Sequence, residues 1–595
     1  MTAWFHKHKS IVATVFLFYI CGLVYDSVTP IFEGLDEVWH YAMVKRMADG
    51  EGLPIVEPEV DSAWRQQGVQ PPLYYATLAV ATAWGDTTDY ISHRTLTSKQ
   101  LSIGLPADNQ GEKFWYYHTR AEDFPYHKTT LAVHLGRWIS LLMATGVVIM
   151  AYALSLELFP ARSHIALLTA AIVAFNPGFL FTSAQVNNDN LANLLGSGTV
   201  LLLAKLWNRG FSPQISIGLA LVCGMAALTK LNVLLIPIVV ALSASLCAAK
   251  LRALKQFLWL GILCIGSSAL MSGWWYFRNF VTYGSILPIE IHRSFVTSRA
   301  LTLWEVILEF WGHHTSYWGV FGLSNIAMTP RIYQFYAAGS CIALIGLAIW
   351  AWRNRKIAGH ILSVPILHSA ILLIGTLYWT RTAPGPAARL TYPAIRAISL
   401  LAAVGLLTTI PIQLRRRAVF MISTVMSMIA LATPFIFIRP TYARAMLRPP
   451  LARDGIDVQY PLQAYLGNNV KLHGFDIDQS DTDEMQVTLH WEVLERSDEN
   501  LIVFVHLFDA HGNFIVGHDS VPLERTYPAS VWSPGELLAD THILTTTSGI
   551  QDGEYQLTAG MYRFTDNQRL PTADANRKRF AHDVIPLGDL FTFPP

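Results

Sequence analysis

The stretch Ile11-Val12-Ala13-Thr14-Val15-Phe16-Leu17-Phe18-Tyr19-Ile20-Cys21-Gly22-Leu23-Val24-Tyr25-Asp26-Ser27-Val28 runs almost directly into Glu33-Gly34-Leu35-Asp36-Glu37-Val38-Trp39-His40-Tyr41. About 20 apolar residues span the hydrocarbon core of a bilayer. With Lys7 and Lys9 before it, the run looks superficially like a secretory leader, but it is too long and no small-residue cleavage site follows. It reads as an uncleaved first transmembrane helix that delivers three acids, Glu33, Asp36 and Glu37, to the membrane surface. A carboxylate at that rim costs free energy unless it is paired, hydrated or used, so it is a functional-site candidate. Crowded like charges drive pKa values apart and let one acid act as a base. Helix-capping acids in a solvated loop account for the same residues, and on charge alone both readings stay open.

The rest of the chain fits that start. Of 595 residues, 52% are hydrophobic and 14% charged, with 18 Trp, a balance that points to a polytopic membrane protein with something appended. A net charge of +1 gives no basic field for nucleic acid. No phosphate-cradling glycine loop or dinucleotide fingerprint occurs, so nucleotide chemistry is not expected. Cys21, Cys223, Cys247, Cys264 and Cys341 all fall in apolar stretches without metal-ligand spacing and read as small core residues.

Further runs of spanning length lie near 134–158, 165–182, 190–207, 213–229, 231–249, 257–276, 333–352, 361–379, 395–412 and 418–438, which with the first predicts about eleven transmembrane helices. With a cytoplasmic N-terminus, the inner short loops carry Lys7, Lys9, Arg162, Lys205, Arg209, Lys250, Arg252, Lys255, Arg353, Arg355, Lys356, Arg415, Arg416 and Arg417, and the outer ones only Lys230, Arg381 and Arg389. That asymmetry obeys the positive-inside rule. It places the loops 29–133, 183–189, 278–332 and 380–394, and the C-terminus, on the outer side. Within the first loop, Pro72 to Trp84 is apolar enough to form a short interfacial helix.

The outer loops hold the other candidates. Gln70-Pro71-Pro72-Leu73-Tyr74-Tyr75 follows the acidic stretch in the same loop. Ser183-Ala184-Gln185-Val186-Asn187-Asn188-Asp189-Asn190 is intensely polar between two apolar spans. A helix N-cap accounts for one of these groups and not for the cluster. Lys230, in Thr229-Lys230-Leu231-Asn232, sits at membrane level with almost no loop, and Arg278 and Arg389 end at the same surface. A lone snorkelling Lys is the ordinary reading. Three cations around an acidic cluster describe a site for a phosphate-bearing lipid. His313-His314, flanked by Trp311 and Trp318, reads as part of an interfacial aromatic belt, because adjacent helical residues point about 100 degrees apart and make a poor shared metal site.

After Arg439-Pro440 the hydropathy collapses. Alternating segments at Met485–Val493, Leu501–Phe508, Phe514–Gly517, His542–Thr546 and Tyr555–Tyr562, with turn signals at His511-Gly512-Asn513 and Asp552-Gly553, predict an antiparallel sandwich. Its aromatics, such as Trp491, Trp532 and Tyr562, fit core packing better than a carbohydrate platform. The expected organisation is therefore mainly α: a transmembrane domain over 1–440 with its large first outer loop at 29–133, a linker at 441–454, and an all-β sandwich over 455–595.

These motifs resemble those of the polytopic glycosyltransferases of the C superfamily (GT-C), which include the protein O-mannosyltransferases and the lipid A aminoarabinose transferases. The resemblance covers about residues 1–440. Asp36-Glu37 with His40 is similar to that superfamily's first-loop acidic motif, Pro71-Pro72-Leu73-Tyr74-Tyr75 to its Pro-Pro segment, and Asn188-Asp189 to its second-loop acid. Leu228-Thr229-Lys230, Trp275-Tyr276-Phe277-Arg278-Asn279 with Tyr283-Gly284, and Arg389-Leu390-Thr391-Tyr392-Pro393 are similar to further segments, in the same order. Gln70 departs from it, standing where relatives often have Lys or His, and so does the C-terminal sandwich.

The resemblance implies a membrane glycosyltransferase that moves a sugar, hexosyl or pentosyl, from a polyprenyl-phosphate donor to an acceptor hydroxyl on a lipid, glycan or protein. The setting it implies is the outer side of a prokaryotic plasma membrane. Asp36 is the expected general base, with Glu37 and Asp189 orienting substrates. Lys230, Arg278 and Arg389 would hold the donor phosphate. Glu33, His40, Gln70, Tyr74, Tyr75, Asn187 and Asn188 complete the candidate substrate site. No cofactor is required. A divalent cation (Mg or Mn) shared by Asp36, Glu37 and Asp189 with the lipid phosphate is left open. A flippase for lipid-linked sugars is the competing reading. It would use the same cations without chemistry, but internal repeats and midplane acids, its usual signs, are missing. A membrane-anchored assembly protein would need one helix rather than eleven.

Overall fold

The computed structural model describes residues 2–60, 62–95, 113–118, 122–296, 299–383, 387–443, 458–481, 484–495, 497, 501–523, 527, 529, 532, 534–545, 553–563, 566–588 and 591–593. The chain forms two compact units, Met1–Ala443 and Arg444–Pro595. Of the linker expected at 441–454, residues 444–454 lie outside the described residues, as do Thr546 and Asp552.

The first unit is helical. It contains α1 (Thr2–Val28), α2 (Glu37–Ala48), α3 (Leu73–Thr82), α4 (Lys128–Leu158), α5 (Ser163–Ala174), α6 (Pro177–Ser183), α7 (Asp189–Arg209) and α8 (Pro213–Ala227). It continues through α9 (Leu235–Leu251), α10 (Leu254–Tyr283), α11 (Pro330–Arg353), α12 (Arg355–Thr380), α13 (Ile395–Thr408) and α14 (Arg415–Thr433). Each apolar run read from the sequence falls on helix. Among the described residues, however, eight helices are by themselves long and apolar enough to cross a bilayer, and α5 with α6 makes a ninth candidate bent by 62°. The expected eleven therefore includes two helices of a different kind. α8 has 15 residues, about 22 Å of helix against a hydrocarbon core of about 30 Å. α7 opens on Asp189 and Asn190 and closes on Lys205 and Arg209, and its Asn193 and Ser197 are buried within the bundle. α7 is buried along most of its length, whereas α8 buries one face and leaves Ile217 and Leu221 exposed on the other.

The bend between α5 and α6 has a local cause. Pro177 cannot continue the preceding helix, and the Asn176 side chain accepts from the Phe179 amide to start the next one. The fold thereby turns Ser183–Asp189 back toward the first loop. The segment Pro72–Trp84 holds the short apolar helix the sequence predicts, α3, and it is pinned by the Leu73 amide donating to the Leu228 carbonyl at 2.9 Å.

The second unit is all β: β1 (Tyr460–Leu466), β2 (Val470–Asp481), β3 (Glu484–Val493), β4 (Leu501–Asp509), β5 (Phe514–Ser520), β6 (Leu537–Thr545), β7 (Gly553–Arg563), β8 (Thr572–Asp574), β9 (Ile585–Pro586) and β10 (Phe591–Phe593). One antiparallel sheet has the order β8-β1-β2-β3-β6, the other β9-β7-β4-β5 with β10 also on β7. Alternate residues of β3 (Met485, Val487, Leu489, Trp491) and of β4 (Val503, Val505, Leu507) are buried, as facing layers of a sandwich require. Trp491 and Trp532 lie in this core, and the Tyr562 hydroxyl donates to Asp519 Oδ2 at 3.1 Å.

Candidate active site at the membrane rim

The end of α1, the start of α2, α3, the 183–190 turn, the break after α8 and the entry to α13 converge on one charged cluster. Asp36 occupies the N-cap of α2 with φ 63°, a left-handed conformation uncommon for a residue other than glycine. Its carbonyl accepts from the Trp39 and His40 amides, which leaves its carboxylate turned out of the helix. Arg389 Nη2 donates to Asp36 Oδ2 at 2.6 Å, and Arg389 Nη1 stands 3.8 Å from Asp189 Oδ2. Lys230 Nζ donates to Asp189 Oδ1 at 2.6 Å. The four groups form a chain of alternating charge, Asp36, Arg389, Asp189, Lys230.

Exposure divides them. Asp189 is fully buried, while the side chains of Asp36, Arg389 and Lys230 keep 20%, 19% and 12% of their surface. The accessible part of the quartet is thus one acid and two cations, with the second acid beneath them fixing the cations in place. Neither acid needs an imported counter-ion, since each already lies on a fixed cationic side chain.

Around the quartet runs a buried hydrogen-bonded lining. Tyr75 Oη lies 2.9 Å from His40 Nδ1 and accepts from Asn188 Nδ2 at 3.3 Å. Tyr74 Oη accepts the Asn187 amide at 2.8 Å and meets Ser140 Oγ at 2.7 Å. Asn187 Oδ1 accepts the Asp189 amide at 2.9 Å, an Asx turn that leads the chain into α7. Burial first, then the nearby Lys230 and Arg389, push the His40 pKa well below the usual histidine value, and the ring is neutral. Gln70 accepts the Leu231 amide and faces His292 Nδ1, both at 3.4 Å, and so closes the wall beside Lys230.

Several expected residues take other places. Glu37 is fully buried, and its oxygens accept from Arg137 Nε (2.8 Å), Arg137 Nη2 (2.5 Å), the Val186 amide (2.8 Å) and the Phe32 amide (3.0 Å). Every acceptor position is spent on the scaffold, so Glu37 cannot orient substrate. It also cannot join Asp36 and Asp189 around a shared cation, and among the described residues no group of three or more His, Cys, Asp or Glu is arranged to hold a metal. Glu33 is likewise fully buried, receiving the Trp115 and Tyr116 amides at 2.7 Å and facing His118 Nε2 at 3.3 Å. Arg278 donates to the Pro54 carbonyl at 2.6 Å and stacks over Trp275, so it ties the first loop to α10 and makes no ion pair with the quartet.

No family model matches, and no curated protein matches. Among solved structures the chain is similar to ArnT from Cupriavidus metallidurans. The structure bound to undecaprenyl phosphate is 12% identical with a TM-score of 0.44, over 72% of this chain and 65% of that one. The apo structure is 11% identical with a TM-score of 0.46, over 73% and 66%. The match thus spans just under two thirds of ArnT. The C-terminal domain of wzt is matched by 25% of this chain over 86% of that domain, at 12% identity and a TM-score of 0.16.

Residues that sequence reasoning passed over complete the site. Arg137, inside α4, is the anchor of the acidic motif. Besides Glu37 it donates to the carbonyls of Thr29 (2.7 Å), Pro30 (2.9 Å) and Asp26 (3.1 Å), stitching the end of α1 to α4. A charge within an apolar run was the available signal. In the first loop, His118 faces Glu122 (2.9 Å) and Glu33 (3.3 Å), and His93 faces Glu122 (3.2 Å) and Asp89 (3.3 Å). Burial lowers the pKa of the His118 ring, but the two carboxylates at its nitrogens outweigh that and hold it up at about 9. Burial pushes the Glu122 carboxyl up, but His118 and then His93 outweigh that and hold it down at about 2.

A raised histidine stabilises the folded loop below its ordinary pKa and loses that contribution as pH rises through the folded value. The first loop is therefore expected to loosen between pH 6.5 and 9. Limited proteolysis of this loop should accelerate across that window in wild type and show no such pH dependence in His118→Gln. A pH-independent wild-type pattern would remove this latch.

Proposed function

We propose that the protein is a membrane glycosyltransferase of the GT-C type, transferring a sugar from a polyprenyl-phosphate donor to an acceptor hydroxyl on the outer side of the membrane. The observation that carries this reading is the quartet, in which one partly exposed carboxylate, Asp36, is linked through Arg389 and Asp189 to a second partly exposed cation, Lys230. Lys230 and Arg389 suit a lipid phosphate, and Asp36 suits a nucleophile that must lose a proton.

In the resting site Asp36 and the donor phosphate compete for Arg389. When the phosphate is seated on Lys230 and Arg389, the Asp36 carboxylate is released to accept the proton of the acceptor hydroxyl. The acceptor oxygen then bonds to C1 of the sugar while the bond from C1 to the phosphate oxygen breaks, and that electron pair leaves with the polyprenyl phosphate. Attack opposite the departing phosphate inverts the anomeric centre. The cations stabilise the charge that grows on the leaving oxygen, a preorganised electrostatic contribution that is usually the largest single one. Asp189 positions the two cations and touches no substrate. The positive-inside pattern supports a cytoplasmic N-terminus and an extracytoplasmic second unit.

The assignment of the cations is tested by binding. Polyprenyl phosphate in nanodiscs should bind wild type, with a loss of at least about tenfold in Lys230→Met and in Arg389→Met, since a charge-assisted contact contributes about 1.5–3 kcal/mol. Uncharged polyprenol should not distinguish the three proteins. Equal phosphate affinity in all three would sink the reading.

A further inference from the structure

The loop between α10 and α11 presents an apolar surface that belongs to no spanning helix. Two short helices, Leu303–Leu308 and Phe310–Trp318, follow each other there. Leu303, Trp304, Ile307, Leu308, Phe310 and Trp311 each leave 49–68% of their surface exposed, while Val306 turns inward at 1%. Trp318, grouped with Trp311 in an aromatic belt on sequence, is instead buried, its ring stacked on Tyr336 at 3.9 Å. The exposed part of that belt is therefore the stretch before it.

This stretch is fastened at both ends to the 380–394 segment. The Arg299 amide donates to the Thr382 carbonyl at 3.2 Å and the Leu301 amide to the Arg381 carbonyl at 3.0 Å. Arg381 Nε returns a bond to the Leu301 carbonyl at 3.0 Å. Arg381 and Thr382 directly follow Thr380, the last residue of α12, so the apolar stretch begins at the very end of a spanning helix. On the other side, the Ala388 amide donates to Ser316 Oγ at 3.2 Å and the Tyr392 hydroxyl to the Tyr317 carbonyl at 2.7 Å. The two attachments bracket Arg389.

A segment enters a leaflet cheaply only if its charges are satisfied or left at the interface. Between residues 302 and 311 the charged side chains are Glu305 and Glu309. Both oxygens of Glu309 are held by Arg299 at 2.7 Å. Glu305 Oε2 accepts from the Thr302 amide at 2.7 Å and from its hydroxyl at 2.8 Å, closing a capping box. An apolar patch of this kind marks a protein or a membrane contact. Its attachment to the end of a span and its two exposed Trp decide for the membrane, since Trp is enriched at headgroup level.

We propose that residues 303–311 are an interfacial anchor, seated about 5–10 Å into the headgroup–acyl boundary of the leaflet beside the quartet, with bilayer lipid as the partner. The anchor fixes to the membrane the strap that holds both flanks of Arg389. It stands on exposure and attachment and does not depend on the transfer reaction.

The test places an NBD fluorophore on Trp304→Cys or Ile307→Cys in the full chain, with Cys264 and Cys341 replaced by Ser, in phospholipid nanodiscs. A phospholipid carrying a nitroxide near the top of its acyl chains should quench both positions more strongly than aqueous iodide does. Stronger quenching by iodide would put the stretch in water, and protection from both quenchers would put it under the second unit or another chain. Either result would overturn the anchor. If one variant fails to fold, as its melting curve shows, the other and Leu308→Cys give the same reading. No polyprenyl phosphate is present, so the outcome is separate from that of the rim assignment.

Discussion

Asp36→Asn should lower sugar transfer by about 10³-fold, within the range that general base catalysis contributes. At 1.36 kcal/mol per tenfold this is about 4 kcal/mol of transition-state stabilisation. The amide keeps the size and the hydrogen-bond acceptor that faces Arg389, so fold and site geometry should survive. What disappears is the ability to take a proton. Because the charged competitor for Arg389 is gone, polyprenyl phosphate should bind the variant as tightly as wild type or more tightly. Transfer kinetics and lipid binding on the same preparations check both halves. A variant with near-normal turnover, or one that has lost donor affinity in proportion to activity, would show that Asp36 is not the base. Asp189→Asn should behave in the opposite way, losing donor affinity first, because it releases Lys230 and Arg389.

The largest effect on stability is expected at Arg137. Replacing it by Met leaves the buried Glu37 carboxylate without its cation, takes one partner from Asp26, which keeps His134 and Trp138, and frees three backbone carbonyls. Removing one partner of a buried ion pair costs about 3–5 kcal/mol. Arg137→Met should therefore melt on the order of 10 °C below wild type or fail to accumulate. Adding Glu37→Gln should recover part of the loss, since the buried charge that remains is then one fewer. Unchanged melting in the single variant would refute the anchoring role of Arg137.

Much of this architecture was legible from the chain alone. Apolar runs longer than about 18 residues are unambiguous to a bilayer, and the acids and cations of the quartet were found because each one interrupts or ends such a run. What could not be read was which acid faces outward. Glu33, Asp36 and Glu37 look alike in sequence, but Asp36, at the left-handed N-cap of α2, keeps 20% of its side chain exposed and meets Arg389, while the other two are fully buried. Glu33 and Glu37 are drawn inward by partners that lie about a hundred residues away, His118 and Arg137.

Arg278 was grouped with the other cations by its position at a helix end, although the Pro54 carbonyl captures it through a loop contact that no spacing reveals. The missed strands tell a similar story. Tyr460–Leu466 begins on Tyr-Pro, Val470–Asp481 shifts register at Gly474, and Thr572–Asp574, Ile585–Pro586 and Phe591–Phe593 are two or three residues long. Their pairing is decided by neighbouring strands and not by any local alternation.

The central claim is that a sugar changes hands at this site. The most direct measurement is to give the purified protein radiolabelled polyprenyl-phosphate sugars with membrane acceptors, following glycoside and free polyprenyl phosphate together. Equimolar appearance of polyprenyl phosphate and of a product with inverted anomeric configuration is the expected result. Movement of intact sugar lipid between leaflets, with no polyprenyl phosphate released from any donor, would contradict the assignment.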